Sequence, residues 1–434
     1  MDSAFVEQVT STRMFTGRLA VVAGAGRSGL AAAKLLHKLK ATVRIVDSNE
    51  DLSTDILAGL GPDAELMTGP FCEEQFAGAD VIIASPGIPA RKIAPFIGNL
   101  PERAIISELE MASWFANEPK IAITGTNGKT TTTALIEHIL RESGREPFAG
   151  ANYGTPLSEF IYEDRKADVL VLEVSSFQLQ NCRLFRPKAA ILLNIAPNHL
   201  NYHEDMDEYL AAKLKIFERQ SAEELAILPA QMKGELDPAS FTNAEVKWFD
   251  GSTFPEQPNL PGHHNRLNIE AAWLALEKIG LTREEFEAGL KTFKGKPHRI
   301  QNIGTVNGVR FIDDSKGTNL DAVRAALNSF EGPVRLLLGG VFKGGDVKEL
   351  LPAMHGKVVE VGLFGDGREH FEPALKDDFK ISWHENLEKA VKTLFANAQA
   401  GETILLSPAT ASFDAYSGYE ARGDDFKRIM EELS

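Results

Sequence analysis

The sequence predicts an α/β fold in three segments, and three observations carry that reading. Apolar runs of strand length, such as Leu19-Ala20-Val21-Val22-Ala23 and Ile121-Ala122-Ile123, alternate with longer stretches of helical period. Glycine-rich turns stand between such a strand and such a helix at 24–29 and 125–128. Small polar clusters recur just past apolar runs, where ligands bind in open α/β sheets.

The first segment, 1–106, opens with the strand Leu19 to Ala23, the turn Gly24-Ala25-Gly26-Arg27-Ser28-Gly29 and a helix from Leu30 to Leu39. Val43 to Val46 is the next strand and ends at Asp47; Val81 to Ala84 runs into Ser85-Pro86-Gly87. This βαβ order predicts a doubly wound, Rossmann-like sheet. The second segment, 107–296, carries strands at Asp168 to Leu172, Ala190 to Asn194 and Leu225 to Leu228, and a helix from Asn265 to Ile279 after a Pro-rich loop. The third, 297–434, follows Lys294-Gly295-Lys296-Pro297, with strands at Val309 to Ile312, Val334 to Leu338, Val359 to Phe364 and Thr403 to Leu406. A second Rossmann-like unit is expected there.

The 434 residues suffice for roughly two to four domains. Against 46 Lys and Arg stand 61 Asp and Glu, a net charge of −15, which argues against nucleic acid as a partner. The two cysteines, Cys72 and Cys182, build no disulfide framework, as suits a reducing cytoplasm. The start lacks the basic-then-apolar layout of a signal peptide, and no apolar run approaches the roughly 20 residues that span a bilayer. A cytoplasmic protein without membrane insertion is expected.

Gly125-Thr126-Asn127-Gly128-Lys129-Thr130-Thr131 is the most informative stretch. It is the short G-x-x-G-K-[ST] form of a phosphate loop, since Ile123 stands where the longer pattern has its first Gly. Backbone N–H groups and the helix dipole would face the phosphates, Lys129 would neutralise their β/γ end, and the Thr130 hydroxyl would ligate Mg²⁺. Glu173, at the end of V-L-V-L-E, is a natural Mg²⁺ ligand beside such a loop. His199 follows another strand, but a lone His is more often structural. The turn at 24–29 with Asp47 fits a dinucleotide fingerprint and, taken alone, an NAD or FAD enzyme as readily as any nucleotide diphosphate site. Asp313-Asp314-Ser315-Lys316-Gly317-Thr318-Asn319 reads equally as a site or as a loop and helix cap. In L-G-G-V-F-K-G-G-D the glycines permit close backbone approach to an anion, with Lys343 as counter-charge. Asn265 and Asn268 share one helix face.

G-T-N-G-K-T-T, L-E-V-S-S-F-Q-L, N-x-x-x-N-H-L, H-R, D-D-S-K-G-T-N, L-G-G-x-x-K-G-G-D and L-S-P-A-T-A-S-F-D occur together and in order. This series resembles the Mur ligases of peptidoglycan synthesis over nearly the whole chain. The S-S-F-Q-L and S-P-A-T-A-S-F-D versions resemble the branch of that family that adds D-glutamate. The resemblance implies that the first segment binds the UDP of a substrate rather than NAD. It also implies a P-loop ATPase-like central domain and a third domain that takes the incoming amino acid.

Carried over by motif, the resemblance implies that ATP phosphorylates the terminal carboxylate of UDP-N-acetylmuramoyl-L-alanine and that the amine of D-glutamate attacks the acyl phosphate. Another family member with different amine specificity is the alternative. The implied ATP contacts are Gly125, Thr126, Asn127, Gly128, Lys129, Thr130 and Thr131, with Asn268, Arg299 and Asp314 on adenosine, ribose or phosphate. Thr130 and Glu173 would hold one Mg²⁺ and His199 a second; Lys213, in A-A-K-L-K, matches the lysine that the family carbamylates. Lys129, Glu173, His199 and Lys213 thus form the implied catalytic set. Arg27, Ser28, Asp47, Ser48 and Asn49 occupy uridine-diphosphate positions, with Ser85 and Gly87 further along and Asn152 on the muramoyl part. Thr318, Lys343, Ser412, Phe413 and Tyr419 occupy the D-glutamate positions. Asn198 and Asn201 stand where the family usually shows Asp, and Tyr202 where Arg is common.

Overall fold

The computed structural model describes residues 15–101, 104–196, 202–257, 260, 262–295, 297–330 and 332–433. Three sheets carry the chain. The first holds β1 (Leu19–Ala23), β2 (Thr42–Asp47), β3 (Glu65–Thr68), β4 (Val81–Ala84) and β5 (Ile105–Ser107), all parallel, in the order β3-β2-β1-β4-β5. The second holds β6 (Lys120–Thr124), β7 (Pro147–Ala151), β8 (Val169–Glu173), β9 (Ala189–Leu192), β10 (Leu225–Pro229) and β11 (Glu245–Phe249). It is also parallel, in the order β11-β10-β9-β6-β8-β7. The third holds β12 (Gln301–Val306), β13 (Val309–Asp313), β14 (Val334–Gly339), β15 (Val358–Phe364), β16 (Ile381–His384) and β17 (Thr403–Leu406), in the order β12-β13-β17-β14-β15-β16.

In each sheet the chain leaves a central strand and returns on the other side of it. Two neighbouring strand ends there diverge into separate loops and open a crevice. The third sheet departs from a purely doubly wound reading, because β12 pairs antiparallel with β13 through a tight turn at Asn307-Gly308. That turn needs left-handed backbone, and Asn and Gly supply it.

The chain forms two compact units, 1–253 with 267–292 and 254–266 with 293–434. The first contains the first two sheets, joined by one apolar cluster that runs from Val22 and Val43 to Leu170 and Leu228. Strands β6, β8 and β9 are buried almost end to end, as parallel strands covered on both faces must be. Among the described residues no helix is long and apolar enough to cross a membrane.

The short helix Glu108–Ser113 fastens the first sheet to the second. The Glu108 carboxylate accepts from the Ser158 N–H at 2.6 Å. Glu110 accepts from the N–H groups of Leu184 (2.7 Å) and Phe185 (3.0 Å) and from Trp114 Nε1 (3.1 Å). Burial pushes both carboxyls above the usual range. Replacing Glu110 by Ala strands those buried donors, so Glu110→Ala should lower stability by about 2–4 kcal/mol. Urea denaturation of the two proteins checks this.

Candidate functional site

Strand β6 ends at Thr124, and the glycine-rich loop at 125–128 follows before helix α1 (Lys129–Glu142). Gly128 has φ +84, and a Cβ there would sit 2.5 Å from Asn268 Oδ1, so only glycine admits both the turn and the approach of Asn268. Asn268 lies on a helix, His263–Lys278, and is buried, as is Asn265. Asn265 falls in the second compact unit and Asn268 in the first.

The loop is held from β9. The Asn194 carbonyl accepts from Thr126 N–H at 3.0 Å, and its side-chain amide both accepts from Asn127 N–H (2.9 Å) and donates to the Asn127 carbonyl (3.1 Å). Lys129 Nζ donates to the carbonyls of Gly125 (2.8 Å) and Thr126 (2.9 Å). Lys213 Nζ reaches the same Gly125 carbonyl at 2.9 Å and Thr124 Oγ1 at 3.5 Å. Burial, and then the neighbouring Lys129 charge, lower the Lys213 amine to about 6. Its nearby counterpart Lys215 instead donates to the Gln180 carbonyl. Tyr209, one helical turn before Lys213, places its ring under the amine at 4.6 Å and its hydroxyl 3.2 Å from Thr126 Oγ1.

Glu173 ends β8, beside this loop, and is buried. Its Oε1 accepts from Asn152 Nδ2 at 2.7 Å, whereas Oε2 is buried with no hydrogen-bond partner among the described residues. An anionic oxygen in that state suits a cation. Thr130 stands on the first turn of α1, and Thr131 follows it. His199 lies outside the described residues, as do Asn198 and Asn201; among the described residues no three His, Cys, Asp or Glu gather as a metal cluster. Tyr202 is buried with its ring 4.0 Å from that of Phe177, and its carbonyl accepts from Arg91.

In the first sheet Asp47 bridges two strand ends. Its carboxylate accepts from the N–H of Ala25 (2.7 Å) and of Asn49 (2.9 Å). Gly29 closes the turn, since a Cβ there would meet the Gly24 carbonyl oxygen at 1.9 Å. Ser85 Oγ donates to that same carbonyl at 3.1 Å. Ser28 is half-buried; Ser48, Asn49 and Gly87 are exposed around the crevice. Arg27 is exposed and turns toward the second sheet, 3.5 Å from Thr155 Oγ1 and 3.6 Å from Glu159.

In the second compact unit, Asp313 and Asp314 leave β13 next to β17. Asp314 accepts from Ser407 Oγ (2.6 Å) and Ile300 N–H (3.3 Å), and burial pushes its carboxyl up to about 7 against the pull of Ser407 and the Arg299 charge. Asp313 accepts from His298 Nδ1 at 2.7 Å, and this raises the imidazole pKa. Lys316 Nζ contacts the Tyr419 hydroxyl at 2.9 Å, and Thr318 follows on the same loop. Ser412 is buried, Lys343 exposed, and Phe413 is 74% exposed.

Family models match three stretches: a Mur ligase MurD-like N-terminal domain at 18–97, a Mur ligase middle domain at 123–239 and a Mur ligase glutamate ligase domain at 298–410. The chain is 46% identical, over 99% of its length and all of the relative's, to the UDP-N-acetylmuramoylalanine--D-glutamate ligase of Desulfovibrio desulfuricans. It is 47% identical to the like-named protein of Lawsonia intracellularis, over 95% of this chain and 94% of that one. The chain belongs to the Mur ligase family. Solved structures bear out the fold of this Mur ligase. The MurF ligase of Thermotoga maritima in complex with ADP superposes with TM-score 0.58 at 17% identity, covering 99% of this chain and all of that one. A pseudomurein peptide ligase type C from Methanothermus fervidus gives 0.55 at 19%, covering 96% and 100%.

Tyr209 and Arg422, central to this Mur ligase's loop geometry, are absent from the sequence reading, and Asn194 enters it only as a strand end and a motif residue with no role assigned. Tyr209 had a usable signal, lying four positions before Lys213 on one helix face. Asn194 had a weaker one, as a polar residue ending an apolar run. Arg422, on helix Tyr419–Glu432, had none. It is fully buried, and its guanidinium donates to the carbonyls of Ser315 (2.9 Å) and Thr410 (3.1 Å) and to Ser315 Oγ (3.0 Å). Burial lowers its pKa to about 10, so it keeps its charge.

Asp314 gives a pH prediction. Its folded pKa of about 7 lies above the ordinary value of 3.8, so its protonated form stabilises the fold. That contribution is complete below pH 3.8 and is lost as pH rises through about 7. The stability difference between wild type and Asp314→Asn should therefore be largest at the acid end and shrink across this window, as followed by denaturation at a series of pH values.

Proposed function

We propose that this Mur ligase joins D-glutamate to UDP-N-acetylmuramoyl-L-alanine, converting ATP to ADP and phosphate, in peptidoglycan precursor synthesis. The reading is carried by 46% identity over 99% of the chain to a relative of that name. Residues 1–106 are assigned to the UDP part of the substrate, 107–296 to ATP and 297–434 to the amino acid. Since the substrates are ATP and a nucleotide-linked sugar, we assign the reaction to the cytoplasm, and we take the working form to be a monomer.

A free carboxylate is a poor electrophile, and phosphorylation gives it a leaving group. The protein's task is to position three ligands and offset their charges. Gly125 to Thr131 cradle the triphosphate, with Lys129 at its β/γ end. Asn268, Arg299 and Asp314 hold the rest of ATP. Arg27, Ser28, Asp47, Ser48, Asn49, Ser85 and Gly87 hold the UDP-linked substrate. Thr318, Lys343, Ser412, Phe413 and Tyr419 hold D-glutamate, whose two carboxylates call for cations and N–H donors. Mg²⁺, probed by the unpaired Glu173 oxygen, would be held by Thr130 and Glu173, with His199 and carbamylated Lys213 at a second ion. When bound it would screen the repulsion between carboxylate and triphosphate.

Lys213 has the chemistry for that modification. Its amine is neutral at pH 7, with a pKa of about 6, and a neutral amine is nucleophilic. The nitrogen lone pair adds to CO₂, an N–C bond forms, a proton leaves to water, and an anionic carbamate replaces a group that could not ligate a cation.

Two measurements follow. Phosphate release should require UDP-N-acetylmuramoyl-L-alanine, Mg²⁺-ATP and D-glutamate together, with L-glutamate, L-lysine and meso-diaminopimelate inactive, and Lys129→Ala should reduce it by roughly 10²–10³-fold or more. Turnover with a different amine would keep the chemistry and overturn the pocket assignment. In ¹³C-bicarbonate, wild type should show a protein-bound carbamate carbon that Lys213→Met lacks and Lys215→Met retains.

A further inference from the structure

The loop after β7 is bent against the preference of its own residue. Ala151 has φ +69, a left-handed conformation that a residue with a Cβ rarely adopts. Hydrogen bonds on both sides enforce it. The Ala151 N–H donates to the Thr155 carbonyl at 2.9 Å, and the Asn152 N–H donates to the Glu173 carbonyl at 2.9 Å. The bend folds the Asn152 side chain back onto the neighbouring strand, where Nδ2 donates to Glu173 Oε1 at 2.7 Å. Asn152 therefore grips Glu173 twice, by backbone and by side chain. The grip occupies one carboxylate oxygen and leaves Oε2 buried and, among the described residues, unpaired. Asn152 itself is exposed, and among the described residues no group donates to its Oδ1.

We propose that Asn152 is a positioning residue for Glu173, holding one carboxylate oxygen so that the other is presented to the nucleotide-bound cation, and that its exposed carbonyl links this grip to arrival of the UDP-linked substrate. The proposal rests on the reading of Glu173 as a cation ligand and Asn152 as a substrate contact. A carboxylate with both oxygens unheld rotates about its terminal torsion and meets a cation in many poses; a fixed hydrogen bond selects one. A donor on the substrate that binds Asn152 Oδ1 polarises the amide and strengthens the N–H donation on its other side. Substrate and cation then favour each other's binding, and by the same factor in both directions. A side chain that served only to close the turn would need no exposed acceptor, because the backbone bonds already close it.

The test uses full-length protein, Mn²⁺ as the probe and a non-hydrolysable ATP analogue, with free Mn²⁺ read by electron paramagnetic resonance. Wild type is compared with Asn152→Ala and with Asn152→Leu, which keeps the bulk and removes the amide. Both variants should bind Mn²⁺ more weakly by roughly 10- to 100-fold. Saturating UDP-N-acetylmuramoyl-L-alanine should tighten Mn²⁺ binding to wild type and leave that of both variants unchanged. Wild-type Mn²⁺ affinity in both variants, with only a raised substrate KM, would overturn the proposal and leave Asn152 as a substrate contact alone. Failure of the D-glutamate reading would appear separately, as absence of wild-type turnover, while the substrate-free Mn²⁺ comparison would still be readable.

Discussion

Two lysine amines converge on one carbonyl, that of Gly125, and the geometry of the central site depends on how that convergence is tolerated. Lys129 and Lys213 donate to it at 2.8 and 2.9 Å. Burial is the larger penalty on a charged Lys213, which is 1% exposed, and repulsion from the Lys129 ammonium adds to it, so Lys213 gives up its proton. The Tyr209 ring beneath it, the Thr124 hydroxyl beside it and the Thr126–Tyr209 contact fix the amine without a carboxylate partner. An acidic partner would have kept Lys213 protonated and inert. Among the described residues none partners it, which keeps a lysine neutral beside the glycine-rich loop, the setting in which carbamylation becomes chemically accessible.

The three sheets solve one problem in three ways. Where two parallel strands end and diverge, their loops carry backbone groups that no ladder satisfies. Each sheet meets some of those groups with a polar side chain that links the ends of neighbouring strands. Asp47 accepts from Ala25 and Asn49 in the first, and Asn194 exchanges bonds with Asn127 in the second. Arg422 donates to Ser315 and Thr410 in the third. The choice follows the groups to be met. Exposed N–H groups call for a carboxylate, a mixed edge for an amide, and several carbonyls for a guanidinium, which has five donors. Asp47 at the end of a strand therefore need not signal a ribose hydroxyl.

How much of this the sequence displayed varies with the physics of each part. The central strands were legible because burial on both faces writes them as apolar runs: β1, β4 and β17 begin and end where the pattern predicts. Strands β3, β11 and β16 were not, since they are edge strands with partly exposed residues and no clean alternation. β5 spans only three residues, and β7 is interrupted by Gly150. Among site residues, the phosphate loop was legible because its conformation demands particular residues. Glu173 was legible by position, although its burial was not. On spacing alone Lys213 reads as a surface lysine; what marks it is its burial against the β6 end, a tertiary fact. Arg422 was invisible because an arginine on an amphipathic helix has an ordinary exposed reading.

The second unit separates a rigid floor from an open rim. Arg422, Ser315 and Thr410 are buried and cross-linked, with Ser412 buried two residues on, so the backbone they hold is fixed before any ligand arrives. Lys343 and Phe413 are exposed on glycine-flanked or loop backbone. A cation 4 Å from a carboxylate contributes about 1 kcal/mol in bulk water and about 4 kcal/mol in surroundings of effective dielectric 20. The Lys343 charge alone therefore discriminates little while it stays solvated. On the proposed assignment of Lys343 to the amino acid, its contribution would grow as a bound ligand displaces water around it. Preference for one amino acid would then be set by how completely each ligand dries the rim, a property of shape as much as of charge. Two amino acids of equal charge, such as D- and L-glutamate, would differ at Lys343 through that drying rather than through the number of ion pairs formed.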